Sequence, residues 1–456
     1  MKRIELGRDN KTMIYILMLS VLVLLIITMQ LFNKDMTAPA FLITAAFTVS
    51  LLCCCIYADV WGFNDYRLIL VILAGLIGFN IFSYITYILD KNGREPASYR
   101  FEPVAVNGYK LCIYLFFQFV LYGLYIIMIM KTTGSFSLSG MSDAIGAYYN
   151  AGKSGKQVYS SGLVNIGTII NMPGIYYVIY IAVNNIICRK KNNILIYINI
   201  FVGMTGALLS GTRTTFFMYI IATVIIYIVL KQRYNGWKKN INIASVIKGV
   251  LFIMAAIIVF NMLFAIQGRT LSDITVVDLI ANYIGAPVKN LELFIKDGRI
   301  KGNGFGLITF RDTYSWVNEM LGSEHFIIPK VYKYRWIDGK ILGNVYTQLM
   351  PLYNDFGIPG VFISMGLLGI FCQKIYDSIK YKKSRGNIDY RLLIYSYVGF
   401  AIIFSFFSNK FFELIFARAM IYYLVGIFIF DIFFCHISIR YGTFVLNFRK
   451  KSKGGK

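Results

Sequence analysis

The sequence predicts an all-α polytopic integral membrane protein, one membrane domain over residues 1–456 with about 11–12 transmembrane helices, and three observations carry that prediction. Hydrophobic residues occupy 57% of the 456 positions and charged residues only 15%, at a mean hydropathy of +0.61. A soluble core of this length cannot hide so much apolar surface. The apolar residues also gather in long uncharged runs, and a run of roughly 20 is what a helix needs to cross about 30 Å of hydrocarbon. The short alternating segments of a membrane β-barrel are missing, and open structures with unpaired backbone are too costly in lipid.

Eleven spans are expected, near residues 13–32, 38–57, 67–89, 111–130, 172–188, 194–210, 215–230, 247–266, 357–376, 391–408 and 411–435. The first follows a basic start and precedes Ala38-Pro39-Ala40, as a signal peptide would. Its apolar run from Met13 to Phe32 is too long for a signal core, and Lys34 and Asp35 interrupt the approach, so an uncleaved span is expected. Orientation follows from Lys and Arg. Arg189-Lys190-Lys191, the segments Lys231 to Lys239 and Lys380 to Arg391, and the tail Arg449 to Lys456 are expected on the cytoplasmic side. That sends the 211–214 turn and the largest loop, 268–344, outward. Lys2, Arg3, Arg8 and Lys11 put the amino terminus inside as well. Eleven spans cannot hold both ends inside, so an element in the first 190 residues, around Pro173, is expected to be missing or supernumerary.

The formal charge of +24 does not point to nucleic acid, because the basic residues cluster between spans and at the termini, where they face anionic lipid. The seven cysteines (Cys53, Cys54, Cys55, Cys112, Cys188, Cys372 and Cys435) lie within or at the ends of apolar spans and offer no disulfide or zinc spacing. No metal and no cofactor is expected. No internal repeat supports an inverted-repeat transporter. The 268–344 loop is expected to be a structured cap, because Val277, Ile280, Ile284, Val288, Leu291 and Ile295 recur at helical spacing with a break at Pro287. Asp278, Lys289, Glu292 and Lys296 form the opposite, polar face.

Chemistry is sought on the outer side. Between Asp143 and Asp273 no acidic residue occurs, while twelve Lys or Arg fall in that interval. Most of these read as cytoplasmic topology signals. Arg213 differs, because it sits in the outward turn Ser210-Gly211-Thr212-Arg213-Thr214-Thr215. A guanidinium at that depth needs an anionic or polar partner, and its fork suits a phosphate or pyrophosphate. The alternative is an arginine reaching to lipid headgroups. Arg269, Arg299, Arg311 and Arg335 add outward positive charge, as substrate contacts or as solvated loop residues. Arg418, inside the last expected span, is paired in this reading with Glu413. For a base, the candidates are Asp355, Glu324, His325, Asp312 and Glu319, with helix capping as the competing role for Asp355. His325 is the only outward-facing histidine expected. No nucleotide-binding loop, zinc motif or nucleophile elbow is present. The first expected outer loop has a lone Asp35, not the acidic pair of a metal-dependent lipid-linked glycosyltransferase.

Residues 200–375 resemble the bacterial O-antigen polymerases, the oligosaccharide repeat-unit polymerases. The landmarks are Ser210-Gly211-Thr212-Arg213-Thr214, Asn282-Tyr283-Ile284-Gly285-Ala286-Pro287, Phe305-Gly306 with Thr309-Phe310-Arg311, and Gly343-Asn344-Val345-Tyr346-Thr347 continuing through Tyr353-Asn354-Asp355-Phe356-Gly357 to Gly360. Their order, with a large outer loop before the last spans, carries the likeness. The resemblance implies a metal-independent glycosyltransferase at the periplasmic face of the bacterial inner membrane. It would move a glycan chain from undecaprenyl pyrophosphate onto a lipid-linked repeat unit. Partners would be undecaprenyl-pyrophosphate-linked oligosaccharide, membrane lipids and a chain-length regulator protein. Arg213, Asp355 and His325 would be catalytic, and Arg269, Arg299, Arg311, Arg335, Tyr346 and Arg418 would bind substrate. A lipid-linked oligosaccharide flippase and an O-antigen ligase are the alternatives.

Overall fold

The computed structural model describes residues 2–97, 102–134, 140–153, 158–237, 276–300, 304–323, 325–338, 340–384, 388–440 and 443–446. In chain order its first helices are α1 (Lys2–Leu31), α2 (Pro39–Ile56), the single turn α3 (Ala58–Trp61), α4 (Arg67–Lys91), α5 (Gly108–Thr133) and α6 (Met141–Lys153). Next come α7 (Gly162–Ile187), α8 (Ile194–Gly206), α9 (Thr214–Tyr234), α10 (Val276–Ile284) and α11 (Ala286–Asp297). The last are α12 (Arg311–Leu321), α13 (Leu349–Tyr381), α14 (Tyr390–Ile403) and α15 (Arg418–Asp431). The described residues also hold two hairpins, β1 (Arg335–Ile337) with β2 (Lys340–Gly343) and β3 (Ile437–Arg440) with β4 (Thr443–Leu446). Among the described residues, eight helices are long and apolar enough to cross a membrane, and α8 and α14 are shorter apolar helices. These ten match ten of the eleven expected spans; the other, 247–266, lies outside the described residues. The protein is an all-α polytopic membrane protein.

Helix α7 forms the centre. Every residue from Pro173 to Asn185 is buried, as suits a helix apolar on all sides. It runs unbroken through Pro173 from Gly162, so no element is missing there. Tyr176 of α7 touches Tyr219 of α9, Tyr397 of α14 and Tyr423 of α15, with ring centroids 5.8, 6.1 and 5.2 Å away. Edge contacts of this kind fix four helices against one another. Helices α4 and α13 approach backbone to backbone: a Cβ on Gly78 would lie 2.4 Å from the Phe362 carbonyl oxygen, and one on Gly369 would lie 2.5 Å from that of Phe79. Small residues permit such approach in membrane bundles, where packing must replace the hydrophobic drive.

The helices alternate between two ends of the bundle. One end gathers residues 57–66, the 211–213 turn, the 276–348 cap and 404–417. The other gathers 32–38, 188–193, 231–237 and 381–390, and is rich in Lys and Arg. The start of α1 lies at the cap end, where Lys11 pairs with Asp59. Its far end reaches the basic end, where Asp35 pairs with Lys380 at 2.6 Å and accepts from the Tyr376 hydroxyl at 2.6 Å. Burial works to raise the Asp35 pKa, but Lys380, Tyr376 and Thr37 prevail and hold it below the usual carboxylate value. The expectation that the amino terminus shares the side of the basic loops is therefore corrected, and so is the expectation that Asp35 lies opposite those loops, because it sits at the same end as Lys380. Lys2, Arg3, Arg8 and Lys11 alternate with Glu5 and Asp9, so the net bias of this segment is weak against that of the later loops. Among the described residues, α1 begins at the cap end and α15 finishes at the basic end.

Helix α13 starts eight residues before the expected 357–376 span and bends at Gly357 (φ 67°, ψ −168°), a conformation reserved for glycine. Pro359 follows and has no N–H to offer the carbonyl one turn earlier, that of Asp355. Arg299 supplies the missing donors: its Nε gives to the Asn354 carbonyl at 2.7 Å and its Nη2 to the Asp355 carbonyl at 2.8 Å. The bend is thus hydrogen-bonded rather than merely flexible.

The cap rests on α10 and α11, broken between Ile284 and Ala286 with Pro287 in the first turn of α11. Val288, Leu291 and Ile295 of the apolar stripe are buried in the bundle core, as their spacing predicts. The polar face does not remain open: Lys289 is 2% exposed and Glu292 0%. Glu292 accepts from the backbone N–H groups of Asn64 and Asp65 at 2.7 and 2.9 Å, while Lys289 pairs with Glu292 and donates to the Gly62 carbonyl. Both helix faces are consumed, one by the bundle and one by the 62–65 corner.

Candidate functional site

Three segments at the cap end meet at one small polar pocket. The turn 304–310 leads into α12, the strand-like stretch before β1 carries Tyr332, and the irregular crossing 404–417 joins α14 to α15. The pocket, of about 70 Å³, is lined by Ile308, Thr309, Arg311, Asp312, Tyr332, Asn409, Phe412 and Glu413. Ile308, Thr309, Asn409 and Phe412 are buried and form its floor; Arg311 and Asp312 are exposed at its rim.

The floor is held by identified bonds. Asp355 Oδ2 accepts from the N–H groups of Ile308 and Thr309 at 3.1 and 2.7 Å, and its Oδ1 accepts from the Asn354 amide at 3.0 Å. Asn409 Nδ2 donates to the Thr309 carbonyl at 3.1 Å. The 404–417 crossing is itself anchored, since Gln348 N–H donates to the Ser405 carbonyl at 2.9 Å. Two atoms of the floor remain unsatisfied within the protein, Thr309 Oγ1 and Asn409 Oδ1. The residues carrying them are 1% and 4% exposed. A buried polar atom without a partner costs about 1–3 kcal/mol, so each requires an explanation.

The rim supplies charge of both signs. The Arg311 guanidinium lies 5.5 Å from the Tyr332 ring centre, and no hydrogen bond or ion pair to a described residue occupies its fork. Asp312 retains contact with solvent, yet partial desolvation first, and the nearby Glu413 carboxyl second, raise its pKa against the opposing pull of Arg311, Lys410 and Arg418. Glu413 is itself paired with Lys410. Burial, and then Glu413, push the Tyr332 hydroxyl up as well, so it stays protonated and able to donate.

The other expected site residues are placed elsewhere or spent structurally. Asp355 neither caps the 357–376 span nor faces the pocket as a base; its two oxygens clamp the 305–310 turn and Asn354. Arg299 donates to carbonyls of the α13 bend. Arg335 pairs with Asp297 at 2.7 Å and donates to the Tyr346 hydroxyl at 2.9 Å, and Tyr346 in turn donates to the Lys333 carbonyl at 2.9 Å. Those two residues tie the β1–β2 hairpin to α11. Arg418 begins α15 rather than sitting inside it, and its partner is Glu319 of α12 at 2.8 Å, not Glu413. His325 is exposed, within 3.4 Å of the Ser323 hydroxyl, and is not among the pocket residues. Arg213 is only 7% exposed at the head of α9 and is engaged inside the protein, so it does not reach out to headgroups. It is not among the residues lining the pocket. Arg269 and Glu324 lie outside the described residues.

No family model, curated protein or solved structure matches this chain. The site therefore rests on its own geometry. Residues missed in the sequence are Thr309, Asn409, Tyr332 and Phe412. Ser408-Asn409-Lys410 is a polar triplet within an otherwise apolar stretch, and that interruption was the available signal. A larger groove of about 550 Å³ opens between α1 and α4, lined by Gln30, Asn33, Tyr84, Tyr87 and Lys91 among others. It lies at the basic end, away from the cap.

Proposed function

We propose that this chain is a surface-polysaccharide polymerase of the O-antigen type. It would act at the outer face of a bacterial inner membrane on oligosaccharides linked to undecaprenyl pyrophosphate. The observation that carries the reading is Arg311: of the cap arginines whose contacts are described, Arg299 and Arg335 are spent on structure, while Arg311 keeps its fork open at the rim of a polar pocket. Segments that carry three of the four sequence landmarks also support it, because hydrogen bonds join them. Asp355 holds the Thr309-containing turn, and Asn290 of α11 donates to the Val345 carbonyl at 2.8 Å.

In this reading Arg311 binds the donor pyrophosphate, where two parallel N–H donors suit phosphate oxygens. The acceptor hydroxyl attacks the anomeric carbon, and the bond from that carbon to the pyrophosphate oxygen breaks. The hydroxyl proton passes to the Asp312 carboxylate, whose raised pKa makes it a better base than an ordinary aspartate. Arg311 stabilises the negative charge developing on the leaving group.

The test is Arg311→Ala at matched protein level in cells that display the polysaccharide. Losing a donor at the developing charge costs about 2.7–4 kcal/mol of barrier, so single repeat units on the lipid A core should replace polymer, and Arg311→Lys should fall between. Full-length polymer from Arg311→Ala would remove the reading. Loss of even single repeats would favour a flippase or a ligase.

A further inference from the structure

Helix α12 is amphipathic, and little of it is covered. At about 100° per residue, Tyr314, Trp316, Val317, Met320 and Leu321 share one side, while Arg311, Asp312, Ser315, Asn318 and Glu319 share the other. None of them is buried, and Met320 is 69% exposed and Leu321 55%. Ile327, just beyond the helix, is exposed too. Its neighbour Phe326 is held to α12 by two bonds with the Asn318 amide, at 2.9 and 3.0 Å. An apolar surface gathered on one side of one helix marks a place that something covers. The charged side is turned to protein and pocket: Glu319 pairs with Arg418 at the head of α15, and Arg311 and Asp312 line the pocket.

The depth of α12 identifies the cover. Thr313 Oγ1 donates to the Phe416 carbonyl at 3.1 Å. The Phe416 ring centre lies 5.4 Å from that of Phe371. Phe371 is fourteen residues beyond Gly357 in the membrane-crossing helix α13, about 21 Å along its axis. A ring that reaches this level is inside the hydrocarbon, so the helix fastened to Phe416 lies at the border of the bilayer, not above it. We propose that α12 is an interfacial helix: its apolar side rests in the acyl chains of the cap-side leaflet, and its charged side meets the headgroups and the pocket. Trp316 has the apolar body and polar N–H that favour this boundary. The partner is phospholipid, whatever reaction the pocket performs. Arg311 and Asp312 thereby stand at headgroup level, where a lipid-borne ligand reaches them from within the membrane.

The experiment uses the full, unaltered chain in nanodiscs of phosphatidylcholine that carries a diazirine near the glycerol end of one acyl chain. After irradiation, mass spectrometry of the peptides should find lipid adducts on Trp316, Met320 or Leu321. The reference is α15, whose exposed Ile421 and Val425 should carry adducts as well. In a second measurement, hydroxyl radicals are generated in the water around ordinary nanodiscs. Met320 should be oxidised in the unfolded chain and lose that oxidation in the embedded one, although it is exposed in the protein alone. Adducts on α15 with none on α12 would overturn the proposal, and so would oxidation of Met320 in the nanodisc as fast as in the unfolded chain. Met320 protected from oxidation yet free of adducts would put a protein surface there, and phospholipid would be rejected as the partner.

Discussion

Helices α11 and α12 belong to the same cap, are of similar length and carry similar charge, yet the fold uses them in opposite ways. In α11 nine of the residues are buried, including Lys289 and Glu292, while α12 has no buried residue. Each is amphipathic by sequence. The difference is that α11 finds a second surface, the 62–65 corner, for its polar face, whereas α12 leans on the 404–417 crossing by its edge and leaves Arg311 and Asp312 at a pocket. A charged residue closed into a pair fixes structure; the same residue type left open at a concave surface is available to a ligand.

That contrast can be broken most directly at Glu292. Glu292→Gln leaves the Lys289 ammonium buried without its carboxylate, which costs about 3–5 kcal/mol. The purified variant should unfold at a clearly lower temperature or fail to accumulate, and a Glu292→Gln protein as heat-resistant as the parent would show that α11 is not fixed by this pair. Arg311→Ala, by contrast, should lose polymer without any change in unfolding temperature. A smaller effect is expected at the bend of α13. Arg299→Ala strands two carbonyls, at about 1–3 kcal/mol, and the loss should appear as destabilisation, with polymerisation per folded molecule retained. Loss of activity at full stability would return Arg299 to the substrate site.

Asp312 gives a pH signature. Its pKa is raised in the folded protein, so the native state holds more protons than the unfolded chain in the window between the ordinary carboxylate value and the raised one. Stability from this group should fall as pH climbs through that window, while activity should rise as the base ionises. Asp312→Asn should remove both trends, and an unchanged activity profile would exclude it as the base. The smallest effect belongs to Arg418 and Glu319, whose side chains are 47% and 66% exposed. A double-mutant cycle on that pair should give no more than about 1 kcal/mol, and a much larger coupling would mean that α12 is docked as firmly as α11.

Hydrophobic run length determined the spans, because crossing a bilayer is a local demand on about 20 consecutive residues, and ten of the eleven expected spans are helices where they are described. Helical spacing likewise located α10 and α11. The tertiary structure decided what the polar residues do. Arg299, Arg311 and Arg335 are equivalent as isolated loop arginines; only the Pro359 bend, the Asp297 carboxylate and the Tyr332 ring, each distant along the chain from at least one of them, distinguish their roles. Asp355 looked like a cap or a base, and became a clamp because the 305–310 turn arrives with two free N–H groups. The side on which α1 begins was equally non-local: four basic residues interleaved with two acids set a weak bias, and the pairings Lys11–Asp59 and Asp35–Lys380 settled it. Burial in lipid is written residue by residue, whereas a hydrogen-bond partner is chosen by whatever the fold brings within 3 Å.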